Sequence, residues 1–296
     1  MDRRSFLKNL CAAGAATTVL PAVAEASMGS PAEKEFVSVL VDTTRCIGCR
    51  NCEVACATEN NLPVPDGNDK SVFDGIRDTT TDQWTIVNKW DTSKGDIYVK
   101  KQCMHCSQAA CASACLTQAM YKTVEGPVIW REDKCMGCRF CMVSCPFVIP
   151  RFEYFDANPK IQKCILCADR LAEGEQPACV ESCPVDALTF GKRREMVREG
   201  HNRAHAHPEK YIDTIYGESE VGGTEWLYLS SVPFDELGFR TDLSHESVPK
   251  LTQSFLYSVP VVFLLWPAFL NSMRPMLEAD EVEGLAKSAK NHGGES

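Results

Sequence analysis

Cysteines dominate this chain: seventeen among 296 residues, and all but Cys11 fall into four groups of four. The first is CIGCRNCEVAC, with Cys46, Cys49, Cys52 and Cys56. The second is CMHCSQAACASAC, with Cys103, Cys106, Cys111 and Cys115. The third is CMGCRFCMVSCP, with Cys135, Cys138, Cys141 and Cys145, and the fourth contributes Cys164, Cys167, Cys179 and Cys183. Groups one and three have the C-x2-C-x2-C-x3-C run of bacterial ferredoxins. Group two widens the second gap, and group four widens it further. Three thiolates two residues apart wrap a loop around one face of an iron–sulfur cubane, and the loop's N–H groups offset the cluster's negative charge. The fourth cysteine starts a helix leading away and serves the other cluster of a pair.

Other cysteine chemistries fit less well. A disulfide scaffold does not account for four repeats of one ligand spacing. Structural zinc uses two CxxC pairs across a longer loop, whereas groups one and three pack three cysteines two apart. Thiol redox chemistry needs one or two pairs. Four iron–sulfur clusters are expected. Gly48 and Gly137, between the first two cysteines of their groups, let the backbone approach closely.

The elements that must position these loops follow from the flanking residues. FVSVLVDTTRC and GPVIWREDKC place a short strand before a cysteine loop, while CEVACATEN and CMVSC place a helical turn after one. AMYKTVEGPVIW reads as a hairpin turning at Gly126-Pro127, and DALTFGKR as a strand closing group four. The expected fold is α+β: a tandem bacterial-ferredoxin-like (double dicluster) domain over 35–192, one unit nested within the other. A 57–102 insert ends in two strands, QWTIVNKW and DIYVKK. Trp84 and Trp90 are expected to pack in the core, although a place over a cluster is open to them. Lys100 and Lys101, beside group two, could soften cluster charge, but a solvated strand end is the expected role.

A C-terminal extension over 193–250 carries a polar helix, KRREMVREGHNRAHA. Its His201, His205 and His207 read as surface histidines, since nothing nearby in sequence completes a metal site. A glycine-rich turn, a strand and a loop that folds back on the core follow. The segment 253–273 is apolar, though interrupted by Pro260 and Pro267, and is expected to be a single transmembrane helix with Tyr257 and Trp266 near an interface. A polar tail, 274–296, follows it.

The first 26 residues form a targeting segment. Arg3 and Arg4 precede Ser5-Phe6-Leu7-Lys8, a weakly apolar run follows, and Ala24-Glu25-Ala26 fits a cleavage site. RRSFLK resembles a twin-arginine signal, with Asp2 where Ser or Thr is usual. Its removal takes Cys11 and leaves the sixteen. The net charge of −9 gives no basic surface for nucleic acid.

Together these residues resemble the four-cluster electron-transfer subunits of membrane oxidoreductases, the DMSO reductase, formate dehydrogenase and polysulfide reductase type. KKQCMHC, CRFCMVSCP, the YGE…GGT segment, the twin-arginine signal and the C-terminal anchor resemble in particular the HybA-type subunits of periplasmic [NiFe]-hydrogenase-2. The resemblance covers nearly the whole mature chain. It implies four [4Fe–4S] clusters with exchanged fourth ligands. One takes Cys46, Cys49, Cys52 and Cys183; the next Cys164, Cys167, Cys179 and Cys56. A third takes Cys103, Cys106, Cys111 and Cys145, and the last Cys135, Cys138, Cys141 and Cys115. It also implies a non-catalytic relay on the periplasmic face of the inner membrane, joining a hydrogenase small subunit to an integral-membrane quinone-reactive subunit. The alternative partner is a molybdopterin catalytic subunit. A third possibility is a scaffold whose clusters are only structural. No nucleophile–base motif, nucleotide loop or flavin fingerprint occurs.

Overall fold

The run VSVLVD is rich in β-branched residues and apolar on both faces, which suits a strand covered on both sides. In the structure, a computed structural model describing residues 35–157 and 159–292, it becomes β1 (Val37–Asp42), the centre of a three-stranded sheet. β8 (Leu188–Lys192) pairs with it antiparallel, Val39 facing Phe190. β9 (Trp226–Leu229), from the C-terminal extension, pairs with it parallel, Val39 facing Trp226. The twin-arginine segment lies outside the described residues.

Each face of this sheet has its own core. Val39, Val41, Trp226 and Tyr228 point toward the cysteine loops and pack with Cys179, Val180 and Leu166. Leu40, Leu227 and Leu229 point the other way, onto Met196 and Ala204 of helix α6 and onto Tyr211 and Ile215 beyond it. α6 (Arg193–Ala206) buries only Met196, Gly200 and Ala204. That i, i+4, i+8 stripe of modest residues lets an otherwise charged helix lie close to the sheet. A Cβ on Gly200 would come within 2.7 Å of Ile215.

Helical turns follow the cysteine loops, but at the third cysteine and not the fourth. They contain Cys52, Cys111, Cys141 and Cys179, and Cys115, Cys145 and Cys183 come after the turn has ended instead of starting a helix. α1 (Asn51–Glu59) packs against α5 (Ala178–Glu181), and α2 (Ala110–Ser113) packs against α3 (Phe140–Val143). Group one is thus brought to group four and group two to group three. α4 (Ala168–Ala172) opens the wide loop of group four. The insert's strands form a hairpin of β2 (Ile86–Thr92) and β3 (Gly95–Lys101). β4 (Met120–Lys122) and β5 (Val128–Trp130) form the hairpin expected between groups two and three. β6 (Arg151–Phe152) and β7 (Ile161–Gln162) make a further short ladder.

The last element, α7, runs from Val248 to His292. Its first 25 residues, Val248–Ser272, are long and apolar enough to cross a membrane and are not buried against the body. The helix therefore starts earlier than the expected 253, passes through Pro260 and Pro267, and continues into the polar 274–292. Each proline withdraws one backbone donor without ending the helix. Ser247, just before α7, donates through Oγ to Gln108 Oε1 at 2.5 Å, and α7 touches α2.

Candidate metal centres

All four cysteine loops share one backbone signature. The residue before the second cysteine is left-handed in each: Gly48 (φ 68°), His105 (49°), Gly137 (71°) and Leu166 (56°). Such turns rotate successive N–H groups toward the loop's concave side, a geometry that favours anions. Three residues after the fourth cysteine the pattern repeats, at Gln118, Val148 and Asp186. Where glycine is absent, burial holds the strained side chain: His105 is 0% and Leu166 1% exposed.

Gly48 and Gly137 are not equivalent, although sequence gives both the same task. A Cβ on Gly48 would lie 2.5 Å from the Tyr98 ring, whereas one on Gly137 meets nothing within 4 Å. Gly137→Ala is therefore expected to cost only the left-handed penalty, about 1–2 kcal/mol. Gly48→Ala adds displacement of Tyr98 and should cost more. Bleaching of the visible cluster absorbance under mild denaturant ranks the two; equal rates would contradict this.

The cysteines converge in sets of four. Cys56, Cys164, Cys167 and Cys179 line one cavity together with Trp84, Thr85, Lys100 and Trp226. Cys46, Cys49, Cys52 and Cys183 line the next, with Lys100 again in its wall. In both, three cysteines come from one group and the fourth from its packing partner. In the other half, Cys106 and Cys111 lie close to Cys103 and Cys145, while Cys141 lies close to Cys115, Cys135 and Cys138. The sets also adjoin in series: Cys52 packs on the buried cluster that holds Cys179, Cys103 and Cys164 share a second cluster, and Cys111 and Cys141 a third.

All sixteen thiols are free of disulfides, and among them only Cys138 is exposed. Burial pushes Cys46, Cys141 and Cys167 up to about 11, and Cys111 and Cys164 up to about 12. Cys52 and Cys56 are raised further, for the same reason. Four converging sulfurs in so dry a place carry negative charge only when a compensating cation binds, which is what an iron–sulfur cluster supplies. Cys115 differs: burial opposes ionisation, but the N–H of Met120 at 3.3 Å and the Thr117 hydroxyl at 3.7 Å bring its thiol below the usual range.

Several residues near the sets depart from the sequence reading. Lys100 is not a solvated strand end; it is 3% exposed and borders the group-one and group-four cavities instead of group two. Lys101 does fit that description, reaching Asp78 at the surface. Trp84 lines a cysteine cavity, while Trp90 packs in the core against Gly238. His105, unremarked in sequence, accepts the Val128 N–H at Nδ1 (2.8 Å), and burial holds its pKa well below the ordinary value. Of the three histidines read as surface groups, His205 and His207 are exposed but His201 is half-buried, and each has an acid beside it, His207 facing Glu209 at 3.4 Å. His201 Nε2 lies 2.9 Å from Glu218 and His205 Nε2 lies 3.4 Å from Asp213.

Cysteine loops of this conformation, arranged as buried four-sulfur sets on a small α+β body, define a ferredoxin-like iron–sulfur protein. Comparison with known proteins agrees. Residues 96–193 match the 4Fe–4S dicluster domain family. A protein of Nitratidesulfovibrio vulgaris is 48% identical over 278 residues, covering 91% of this chain and 75% of its own length. Hydrogenase-2 operon protein HybA of Escherichia coli O157:H7 is 34% identical over 275 residues (80% of this chain, 83% of that one). The formate dehydrogenase-O iron–sulfur subunit of Escherichia coli K12 is 34% identical over 203 residues (66% and 67%). The chain belongs to the family of ferredoxin-like iron–sulfur electron-transfer subunits that includes these HybA and formate dehydrogenase proteins.

Proposed function

We propose that this chain is a non-catalytic wire of four [4Fe–4S] clusters, built as a tandem double dicluster body. In this reading it passes electrons from a periplasmic [NiFe]-hydrogenase small subunit to a quinone-reactive membrane subunit. The observation that carries the proposal is the exchange of fourth cysteines: Cys183 completes the group-one cavity and Cys56 the group-four cavity. Each cluster, when bound, accepts and releases one electron. The chain's work is to bury the thiolates, aim N–H groups at them and keep neighbouring sets in contact. The shared packing clusters of Cys52 with Cys179, Cys164 with Cys103 and Cys111 with Cys141 favour the order one, four, two, three by group.

Orientation follows from what surrounds the two ends. Around group three four large apolar side chains, Leu116, Met136, Phe140 and Val143, are exposed among charged ones. The start of α7 packs on α2, in the same half. This supports delivery to the membrane subunit from the group-three end and capture from the catalytic partner at the group-one end, with α7 as the anchor and the body outside the cytoplasm.

Hydrogenase is the favoured source because the HybA match extends over 80% of this chain, against 66% for the formate dehydrogenase-O subunit. A molybdopterin partner is the second reading, and the catalytic subunit that co-purifies from native membranes decides between them. The relay itself predicts about sixteen irons per chain and clusters that become EPR-visible stepwise on reduction. Clusters that resist reduction would refute it. Cys183→Ala should remove the cluster held by Cys46, Cys49 and Cys52 while sparing its neighbour, and Cys56→Ala should do the reverse. The opposite assignment in their EPR spectra would refute the exchanged ligands.

A further inference from the structure

We propose that the Lys100 ammonium sets the reduction potentials of two clusters at once, those of the group-one and group-four cysteine sets. This rests on reading those sets as cluster ligands, and it concerns what lies between them. Lys100 is 3% exposed and forms part of the wall of both cavities. Its Nζ donates to Thr85 Oγ1 at 2.6 Å and Gln102 Oε1 at 3.0 Å, and lies 4.3 Å from the centroid of the Trp226 ring. These partners are all neutral. Among the described residues Lys100 has no carboxylate partner; the titratable groups that face it are Cys179, Cys52, Cys164 and the Tyr228 hydroxyl.

Two further lysines, half-buried Lys122 and buried Lys163, are placed differently. Lys122 pairs with Glu225 at 3.2 Å and also donates to the carbonyls of His105, Cys106 and Gly126. Lys163 donates to the carbonyls of Val128 and Cys164. A buried ammonium without an anion costs several kcal/mol. For Lys100 the anions present are the cysteine sulfurs on either side. The consequence is electrical. Reduction adds one electron, and so one negative charge, to a cluster; a fixed positive charge beside it favours the reduced form and raises the potential. No group-two or group-three cysteine lines either cavity, so the effect is expected to fall on these two clusters.

The test is an EPR-monitored redox titration of the full-length, cluster-loaded protein, comparing wild type with K100M, K100R and K101M. K100M should lower two of the four potentials by at least a tenfold change in the reduced-to-oxidised ratio, about 59 mV for one electron. The other two should stay fixed. K100R keeps the charge and should stay near wild type, and K101M, at the surface, should change none. Unchanged potentials in K100M, a uniform shift of all four, or an equal shift in K100R would overturn the proposal. If K100M loses iron, K100Q is titrated in its place. Iron loss in both neutral variants but not in K100R carries the same assignment, since charge separates them; iron loss in all three overturns it. Clusters that cannot be reduced even in wild type would instead defeat the relay.

Discussion

Glu53→Ala is expected to destabilise the protein by about 3–5 kcal/mol, the cost of leaving a buried charge without its partner. Glu53 is 2% exposed and its two oxygens are fully used. Oε2 accepts from Arg50 Nε at 3.1 Å and Nη2 at 2.9 Å, while Oε1 accepts from Arg77 Nη2 and from the Val87 N–H, both at 2.6 Å. Arg50 is as buried as Glu53, is left-handed, and lies inside the first cysteine loop between Cys49 and Cys52. Its remaining nitrogen, Nη1, donates to the carbonyls of Asp66 and Asp69 at 2.7 and 2.8 Å. One carboxylate thus ties the cysteine loop, the polar start of the insert and strand β2 together. Without it a guanidinium and a strand N–H are stranded in the interior. Anaerobic denaturant unfolding of the loaded protein measures the loss, and Glu53→Gln, which keeps shape and some hydrogen bonds, should cost less. A loss below about 1 kcal/mol, the range of an exposed pair, would show that the network is not what holds the insert.

The second large effect is on location. Replacing Arg3 and Arg4 with lysine is expected to leave a cluster-loaded protein in the cytoplasm, with essentially none on the outer face of the membrane. Sixteen free thiols exported unfolded would meet an oxidising compartment and form disulfides. In the structure these thiols instead converge in sets, and among them only Cys138 is exposed. A route that carries folded proteins, as the twin-arginine resemblance implies, lets clusters be built before export. Cell fractionation with an iron assay checks it. Normal arrival of the double-lysine variant at the outer face would refute this reading of the leader.

Sequence was most informative where chemistry imposes a spacing. The cysteine groups, the strands beside them, the hairpin between groups two and three and the two strands of the insert follow from short-range pattern, and the structure places them accordingly. Lys100 was hidden because β3 breaks the usual alternation. Ile97 and Val99 give that strand an ordinary apolar face, so Tyr98, Lys100 and Gln102 look like its solvent face. That polar face is the one turned to the cysteine cavities: Tyr98 covers Gly48 and Lys100 borders two sets. Polar residues point inward here, toward the four-cysteine cavities, a departure from binary patterning expected at a functional site. Arg50 and Glu53 were missed for a related reason. Within CRNCEVAC they read as the wet side of a short helix, and their partner Arg77 is 24 residues away from Glu53. The parallel pairing of β9 lay beyond any local signal.

That pairing also dictates timing. β1 is among the first parts of the body to leave the ribosome, yet one of its two edges stays unpaired until β9 has been made. The stitches across this seam span the chain: Ser38 Oγ bonds the Glu225 carbonyl 187 residues on, and Thr43 Oγ1 bonds that of Leu229. At roughly 5–20 residues per second, the seam stays open for on the order of ten to forty seconds of synthesis. High contact order of this kind slows closure and leaves a strand edge able to pair with other chains. The final strand acts as a late seal, formed shortly before the apolar helix that follows it emerges.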